Sequence, residues 1–364
     1  TKMFGYTLKE LKKVRGLNIF EATENTELKQ LIDSGIDSRK PIIYESPAVT
    51  KDGKKIWTQT TLTPVLDKEG ALKKLVAIES DITKIKDAEK EILHQHKEIT
   101  DSINYAKRIQ TSALPDLRLI ALHVSEIFVL FKPKDVVSGD FYWFADVEDQ
   151  LVITVADCTG HGVPGAFMSM LGMSMLKEIV VKEYITQPDV ILRKLRREVI
   201  KALGQTGASG EQKDGMDMSL CSINMKTKEL QWAGANNPCI IVRDEPFPDR
   251  EADLTSENKL MYEIKADKMP IAIYEKMDKF TLHEIQLKKG DIIYLTGDGF
   301  PDQFGGPKGK KFMSKRLKEL LLKIADKPME EQHLILDKTI TDWMNAYDEK
   351  YEQTDDITLM GIRI

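Results

Sequence analysis

The sequence predicts an α+β fold in which a layered C-terminal domain follows a small mixed α/β domain and one long helix. The chain has 364 residues, more than one hydrophobic core usually supports, so we expect at least two domains. Residues 84–114 contain neither Gly nor Pro, which favours an uninterrupted helix. Beyond Pro115, candidate strands are mixed with pairs of helices, which indicates α+β rather than βαβ architecture. We therefore place the domains at 1–83, 84–115 and 116–364.

The composition describes a globular protein. Hydrophobic residues make up 41% and charged residues 30% of the chain, which excludes a mainly disordered or fibrous protein. The formal net charge of -5 argues against a nucleic-acid-binding protein, because such proteins need an excess of Lys and Arg to neutralise phosphates. Cys158, Cys221 and Cys239 cannot all pair, and their scatter fits neither a disulfide framework nor a zinc site. We therefore expect a reducing, cytoplasmic location.

Membrane segments are not expected within these residues. No apolar run reaches the roughly 18 residues that a membrane-spanning helix needs. The sequence begins at Thr1 and not at Met, so we expect a longer natural chain whose preceding part could carry a membrane anchor or another sensor.

The first part of the chain is predicted to form a small sheet after a helical start. Apolar residues fall at helical spacing at Leu8, Leu11 and Val14. Strands are expected at 41–45, 56–65 and 72–78, separated by turn signals at 51–54 and 67–70. Phe4-Gly5-Tyr6, the Asp52-Gly53 hairpin with Trp57 beyond it, and the closing Asp81-Ile82-Thr83 resemble the second half of a PAS domain. The alternative is a generic α/β hairpin domain.

A seven-residue repeat marks the long helix. Apolar residues recur at Ile85, Ile92, Ile99, Ala106 and Ala113. A stripe of this period favours a two-stranded, left-handed coiled coil. It spans only about four heptads, with His96 and Gln110 near the seam, so we expect a modest homodimer helix whose register can adjust. The alternative is a single helix that packs on its own domain.

The C-terminal part contains most of the predicted core. Strands are expected at 126–131, 151–156, 220–224, 239–242, 292–296 and 357–362. Helices are expected at 164–179, 190–203, 314–325 and 330–347. The first of them begins at Pro164, a residue that suits the first helical turn.

Acidic residues stand beside Gly or another Asp at the ends of these strands: Asp140, Asp157, Asp298, Asp355 and Asp356. Any one of them would usually just open a turn. Strands converging in one sheet can bring such carboxylates to a single edge, where like charges repel and need a counter-charge. Too few Arg and Lys lie in these segments to supply it. We therefore expect divalent cations, and all-oxygen ligands suit Mg²⁺ or Mn²⁺ and not Zn²⁺.

The order of six segments resembles the SpoIIE-type branch of the PPM (PP2C-like) serine/threonine phosphatases: SGDFYW, ADCTGHGVPGAFMSMLG, GMDMSL, WAGANNP, TGDGFPDQFGG and TDDITL. The resemblance covers essentially all of 116–364. It implies a PPM-type layered β-sandwich flanked by helices. A PAS domain, a helix and a phosphatase in this order are also common in bacterial signalling proteins.

The resemblance implies a pair of metal ions and names their ligands. Asp157 and Asp298 match the catalytic carboxylates that hold the metal pair, and the backbone carbonyl of Cys158 matches a further ligand. Asp140 matches the aspartate on the second metal. Two Mn²⁺ or Mg²⁺ ions about 3.5–4 Å apart can bridge one water and lower its pKa towards neutrality, for in-line attack on phosphorus.

For several other positions, more than one role stays open or the sequence departs from the family pattern. Asp355 matches the C-terminal metal ligand, and Asp356 is kept as a ligand because the alignment can slip by one residue. His161 matches the catalytic histidine of the GHG segment and could orient or protonate. Asn236 stands where some relatives have an Asp for a third metal, so we expect two ions. No Arg is available for substrate phosphate near the matching strand, where Lys134 is either a helper or an ordinary surface lysine.

The expected activity is that of a metal-dependent protein serine/threonine phosphatase regulated through the PAS domain and the helix. The resemblance implies a phosphorylated STAS-type anti-sigma-factor antagonist as substrate. A sensor histidine kinase, suggested by His94 and His96, is disfavoured because no Asn-box or Gly-rich ATP lid follows. A non-catalytic pseudophosphatase acting as a dimeric scaffold is the alternative. Asp217 is interpreted as a turn residue, with a place near the site as the other reading.

Overall fold

The computed structural model describes residues 3–7, 9–10, 40–208, 210–211, 213–346 and 350–364. The chain forms two compact units, 1–101 and 102–364, whose boundary falls inside one long helix. The helix expected around Leu8, Leu11 and Val14 lies outside the described residues. The domain limits at 83/84 and 115/116 stay predictions.

The N-terminal unit contains an antiparallel sheet of three strands in the order β1 (Ile42–Val49), β2 (Lys55–Leu66) and β3 (Leu72–Asp81). Alternate residues of β2 are buried, namely Ile56, Thr58, Thr60 and Leu62, so one face of the sheet packs inward. The Asp81 carboxylate accepts hydrogen bonds from the backbone N–H and the hydroxyl of Thr83. The Thr83 hydroxyl oxygen in turn accepts the N–H of Trp57 at 2.9 Å. These bonds fix the start of the following helix to β2.

The long helix predicted from the sequence is confirmed as α1 (Thr83–Ala113). Its heptad residues Ile85, Ile92 and Ile99 are 58%, 63% and 60% exposed, so the apolar stripe is uncovered in the single chain. Among the residues of α1, all of which the structure describes, only Gln110 is buried. The coiled coil itself stays a prediction.

The C-terminal unit is a sandwich of two antiparallel sheets. Its strands are β4 (Glu126–Lys132), β5 (Phe141–Val147), β6 (Gln150–Cys158), β7 (Met216–Asn224), β8 (Glu229–Ala235), β9 (Cys239–Arg243), β10 (Leu254–Thr255), β11 (Leu260–Ile264), β12 (His283–Gln286), β13 (Ile292–Thr296), β14 (Phe304–Gly305), β15 (Lys310–Lys311) and β16 (Ile357–Arg363). One sheet has the order β10-β11-β9-β13-β16-β4 and the other β12-β8-β7-β6-β5, while β14 and β15 form a separate hairpin.

The core lies between the two sheets. Leu151 and Ile153 of β6 pack with Ile293 and Leu295 of β13, and all four are fully buried. Trp232 of β8 belongs to the same cluster, and its indole N–H donates to the Ser219 hydroxyl at 2.9 Å. The buried polar end of the tryptophan is therefore satisfied, and the apolar packing holds the sheets face to face.

The helices that follow α1 are α2 (Leu117–Ile120), α3 (Gly162–Leu176), α4 (Pro188–Ala202), α5 (Gly299–Asp302), α6 (Ser314–Ile324) and α7 (Met329–Met344). Ile120 of α2 packs into the core between the sheets, whereas later helices cover both outer faces. A π-helical turn, Lys177–Lys182, extends α3. α3 and α4 pack on the five-stranded sheet, and α6 and α7 on the six-stranded one. Leu192, Leu195 and Val199 line the buried face of α4 at helical spacing. The predicted α+β class, a sandwich flanked by helices, is confirmed.

Two further expectations can be compared with the structure. Cys158, Cys221 and Cys239 are free and buried, so they form no disulfide. Within the described part of the chain, no helix combines the length and the apolar character that crossing a membrane requires.

Candidate active site

The acidic residues singled out by the sequence lie on segments from both sheets. Asp140 precedes β5 and Asp157 is the penultimate residue of β6, in the five-stranded sheet. Asp298 follows β13, and Asp355 and Asp356 precede β16, in the six-stranded sheet. We expected strands of one sheet to gather them, but the structure gathers them from two facing sheets. The sandwich as a whole therefore builds the cluster.

The carboxylates converge beside Gly297. A Cβ atom at Gly297 would lie 3.3 Å from both Asp140 Oδ2 and Asp157 Oδ2. The backbone N–H of Asp298 donates to Asp157 Oδ2 at 3.3 Å. The charge of Asp355 acts on Asp140, Asp157 and Asp298. We call the space bordered by these four aspartates the acidic crevice.

The acidic crevice is electrostatically unfavourable without a counter-charge. Burial, and next the charge of Asp157, raises the pKa of the Asp140 carboxyl well above its usual range. Burial, and next the charge of Asp298, does the same to the pKa of Asp157. Asp140 is 1% exposed, and its Oδ2 has no hydrogen-bond partner among the described residues. A buried oxygen in this position favours a cation, and an all-oxygen set fits Mg²⁺ or Mn²⁺.

The side chains do not by themselves form a complete set of ligands. Across the described ranges of the chain, no group of three or more His, Cys, Asp or Glu side chains is placed to hold a metal ion as it stands. The contacts are pairwise instead, between Asp157 and its neighbours. Uncompensated carboxylates repel one another, so closer approach requires a cation between them.

Asp356 holds a loop and does not face the crevice freely. Its Oδ1 accepts the backbone N–H of Lys134 and its Oδ2 accepts that of Gly139, both at 2.7 Å. These bonds tie the loop 133–140 to the start of β16. The neighbouring Asp355 is half-buried, and its Oδ1 accepts the N–H of Asp356 at 2.8 Å. The two aspartates of the TDDITL segment thus have different surroundings.

Close backbone contacts surround Cys158. Burial raises the pKa of the Cys158 thiol well above its usual range, so the thiol stays protonated and only the carbonyl is a useful ligand. A Cβ atom at Gly139 would lie 3.3 Å from Cys158 O, and one at Gly165 only 2.2 Å from Gly160 O. Glycine at 165 therefore lets the first turn of α3 touch the loop that follows β6.

Comparison with known proteins agrees with this geometry. Residues 147–364 match the family model described as Stage II sporulation protein E (SpoIIE), and residues 1–84 match a PAS domain. The first match covers more than half of the chain. The chain belongs to the SpoIIE family. The PAS prediction for the N-terminal residues is confirmed by the second match.

Two relatives of this SpoIIE-family chain show its domain type. It is 26% identical over 206 residues to phosphoserine phosphatase RsbU of Bacillus subtilis (strain 168), a match that covers 56% of this chain and 54% of RsbU. The chain thus spans about half the length of that relative. It is similar to the SiaA-PP2C domain of Pseudomonas aeruginosa, with 30% identity and a TM-score of 0.62 over 74% of this chain and 98% of that domain. Its C-terminal unit is a PP2C-type phosphatase domain.

Lys134, Asp135 and His161 form one hydrogen-bonded group that joins the loop before β5 to the loop after β6. His161 Nδ1 lies 2.6 Å from Asp135 Oδ2, and His161 Nε2 lies 2.9 Å from Lys134 Nζ. Sequence reasoning named His161 and Lys134 separately and missed Asp135. The signal for Asp135 was weak, since a single Asp in a loop usually marks a turn.

Asp217 belongs to strand β7 and not to a turn. It is paired in register with Asp157 and accepts a hydrogen bond from Asn236 Nδ2 at 2.8 Å. Burial raises the pKa of Asp217 to about 6, while the Asn236 hydrogen bond opposes this rise and the charge of Asp298 adds to it. The alternative that placed Asp217 near the site therefore describes the structure better.

Asp140→Asn should stabilise the metal-free protein at neutral pH. Because the pKa of Asp140 is raised in the folded state, the folded protein binds more protons than the unfolded chain, and stability falls as pH rises above the usual carboxyl range. Removing the charge should raise the unfolding temperature in EDTA by about 2–4 °C, the shift that 1 kcal/mol gives in a domain of this size. Mn²⁺ should raise the unfolding temperature of Asp140→Asn less than that of the wild type, because the variant lacks an expected ligand. Thermal unfolding with and without Mn²⁺ measures both effects.

The exposed Asp146 on β5 provides the control, since Asp146→Asn should change neither quantity. An unchanged gain from Mn²⁺ in Asp140→Asn would contradict the place of Asp140 in the site.

Proposed function

We propose that this chain is a metal-dependent protein serine/threonine phosphatase that hydrolyses phosphoserine or phosphothreonine on a signalling partner. The observation that carries the proposal is the buried, unpartnered Asp140 Oδ2, which shares the acidic crevice of a PP2C-type domain with Asp157. Asp140, Asp157, Asp298 and Asp355, with the carbonyl of Cys158, would hold two Mn²⁺ or Mg²⁺ ions. Such a pair supplies a water of lowered pKa and offsets charge on the phosphoryl oxygens.

The residues of the chain divide the remaining work. Asp157 lies between Asp140 and Asp298 and would serve as the shared carboxylate of the crevice. Asp356 would keep the loop that carries Asp140 in place and not act as a ligand, because backbone N–H groups occupy both of its oxygens. The buried, protonated Cys158 thiol offers no nucleophile, which argues against a cysteine-phosphate intermediate.

The proposed substrate is a phosphorylated STAS-type anti-sigma-factor antagonist. Support comes from the sequence resemblance and from RsbU, which is named a phosphoserine phosphatase. A protein substrate also suits a site whose carboxylates Asp157 and Asp298 are not fully enclosed, since Asp298 is exposed at the surface.

A homodimer through α1 and the PAS domain is the proposed assembly. Ile85, Ile92 and Ile99 form an exposed apolar stripe with the seven-residue spacing of a left-handed coiled coil. A second copy of α1 would bury these residues.

Gln110 supports the proposal that α1 regulates the site. Its Oε1 accepts the N–H of Ser138 at 3.1 Å, and its Nε2 donates to Ser138 O at 2.6 Å and to the Ser169 hydroxyl at 2.8 Å. Ser138 immediately precedes Gly139 and Asp140, and Ser169 lies on α3. One buried amide thus joins α1 to the loop of a proposed metal ligand and to the helix that follows the Asp157 loop. A change in α1 would reach both.

Phosphate release from a phosphoserine peptide tests the activity. The wild-type chain should release phosphate with Mn²⁺ and lose this activity in EDTA. Asp298→Asn should lower turnover at least about 100-fold, because loss of a ligand should exceed the 10–100-fold effect of an outer-shell partner. Circular dichroism should show an intact fold, and Asp326→Asn, at an exposed carboxylate that pairs with Lys259, is the control.

An active Asp298→Asn enzyme would contradict the proposed role of Asp298. Absence of phosphate release by the folded, Mn²⁺-loaded wild type would favour the pseudophosphatase scaffold.

Insertions in α1 test the regulation. One residue inserted before Ile99 rotates the preceding part of the helix by about 100° relative to Gln110, whereas seven residues restore the heptad. We expect one- or two-residue insertions to change turnover strongly and a seven-residue insertion to change it little. Steady-state turnover of the same peptide measures this, and equal activity in all insertions would refute the idea.

Gln110→Ala should reduce the free energy of unfolding by about 1–3 kcal/mol, the cost of leaving buried partners such as the Ser138 amide unsatisfied. Urea unfolding measures this loss. Gln95→Ala is the matched control, because Gln95 is an exposed glutamine of α1 that bonds only one turn back, to Glu91. The effect of a one-residue insertion should also shrink in the Gln110→Ala background, and an undiminished effect would show that coupling does not pass through this amide.

A further inference from the structure

The group of Lys134, Asp135 and His161 has a defined donor and acceptor order. An ammonium group only donates hydrogen bonds and a carboxylate only accepts them. His161 therefore donates from Nδ1 to Asp135 Oδ2 and accepts at Nε2 from Lys134 Nζ. A single tautomer of the neutral imidazole, with its proton on Nδ1, satisfies both contacts.

The group bridges the two loops that carry Asp140 and Asp157. Lys134 and Asp135 lie on the loop that Asp356 holds through the N–H of Lys134. His161 lies three residues beyond Cys158 and immediately before α3, and its side chain makes no capping bond to that helix. Its ring is therefore available to the neighbouring loop.

The chain leaves space for this arrangement at Gly162. A Cβ atom there would lie 3.0 Å from Asp135 Oδ2, and the φ of +65° also favours glycine. The Asp135 carboxylate can thus approach the backbone closely while it holds the ring of His161.

We propose that Asp135 and His161 position the Lys134 ammonium to bind the phosphate group of the substrate. The inference rests on the proposed phosphatase function. A phosphate monoester is an anion, and it approaches a crevice lined by Asp140, Asp157 and Asp298, so a cation on the loops that carry Asp140 and Asp157 would favour its binding. A free lysine would lose much rotamer freedom on binding phosphate. The contact with His161, whose ring Asp135 holds, imposes part of that cost on folding instead, so the bound phosphate meets an oriented cation.

Binding of inorganic phosphate tests the cation. Calorimetric titration of the Mg²⁺-loaded chain should show about tenfold weaker binding in Lys134→Met, the loss expected for one charge-assisted hydrogen bond. Lys134→Arg should retain most of the affinity. Lys226→Met, which removes a lysine paired with Asp149 on a distant hairpin, should bind as the wild type does. In peptide hydrolysis, Lys134→Met should raise KM more than it lowers kcat.

A double-mutant comparison tests the positioning. Asp135→Leu should weaken phosphate binding although Lys134 remains, and Lys134→Met with Asp135→Leu should bind no more weakly than Lys134→Met alone. Additive losses, or unchanged phosphate binding in Lys134→Met, would overturn the proposal.

Nitrogen NMR of the metal-free chain gives a readout that does not depend on activity. The chain contains six histidines, and the resonances lost in His161→Gln identify this ring. The Nδ1–H tautomer is expected in the wild type, and its loss is expected in Asp135→Leu. An Nε2–H tautomer in the wild type would overturn the proposal. If the wild type binds phosphate and shows the Nδ1–H tautomer but hydrolyses no phosphopeptide, the proposed activity fails while the assignment of Lys134, Asp135 and His161 stands.

Discussion

Repulsion among aspartates that the fold brings together is the constraint on which the C-terminal unit depends. Asp140 and Asp157 come from one sheet and Asp298 and Asp355 from the other. The apolar layer between the sheets, with Leu151 and other fully buried residues, keeps these carboxylates close together. In an unfolded chain the same carboxylates would move apart. The unfavourable charge is thus a property of the folded sandwich, and a divalent cation is the natural way to relieve it.

The loops that carry these charges are held by close backbone contacts and by hydrogen bonds. Gly165 allows α3 to touch the Gly160 carbonyl, and Gly139 donates to Asp356. The Gln110 side chain forms hydrogen bonds with both the backbone N–H and the carbonyl of Ser138. The segment around Ser138 therefore receives bonds from α1, from the start of β16 and from α3 through the Ser169 hydroxyl. A shift of any of these three elements would move this segment, so we propose that regulation acts through it.

The sequence allowed much of the fold to be predicted, because apolar runs such as 292–296 have the length and composition of buried strands. Strands β5, β8 and β10 to β12, and the short hairpin of β14 and β15, were missed. β5 begins directly after Asp140 and consists mostly of apolar and aromatic residues, so the sequence shows no clear polar alternation there. β8 ends in small residues with little strand character. Membership of one sheet or the other could not be predicted, because pairing between distant strands leaves no local pattern.

The candidate site, like the fold, could be predicted from the sequence only in part. The acidic set could be named from motifs, since Asp next to Gly at strand ends recurs in the sequence. The difference between Asp355 and Asp356 could not, because adjacent identical residues differ only in the partners that folding supplies. Asp135 was missed for the same reason: its importance lies in a contact with His161, 26 positions along the chain.

The two backbone bonds of Asp356 also bear on the proposed binding of ions in the crevice. They hold the loop 133–140 through protein groups alone, so this loop has its shape before any ion binds. Under the proposed function, ion binding would then carry little entropy cost for ordering that loop. Uptake and loss of cations would consequently follow their concentration in the surroundings without waiting for a refolding step.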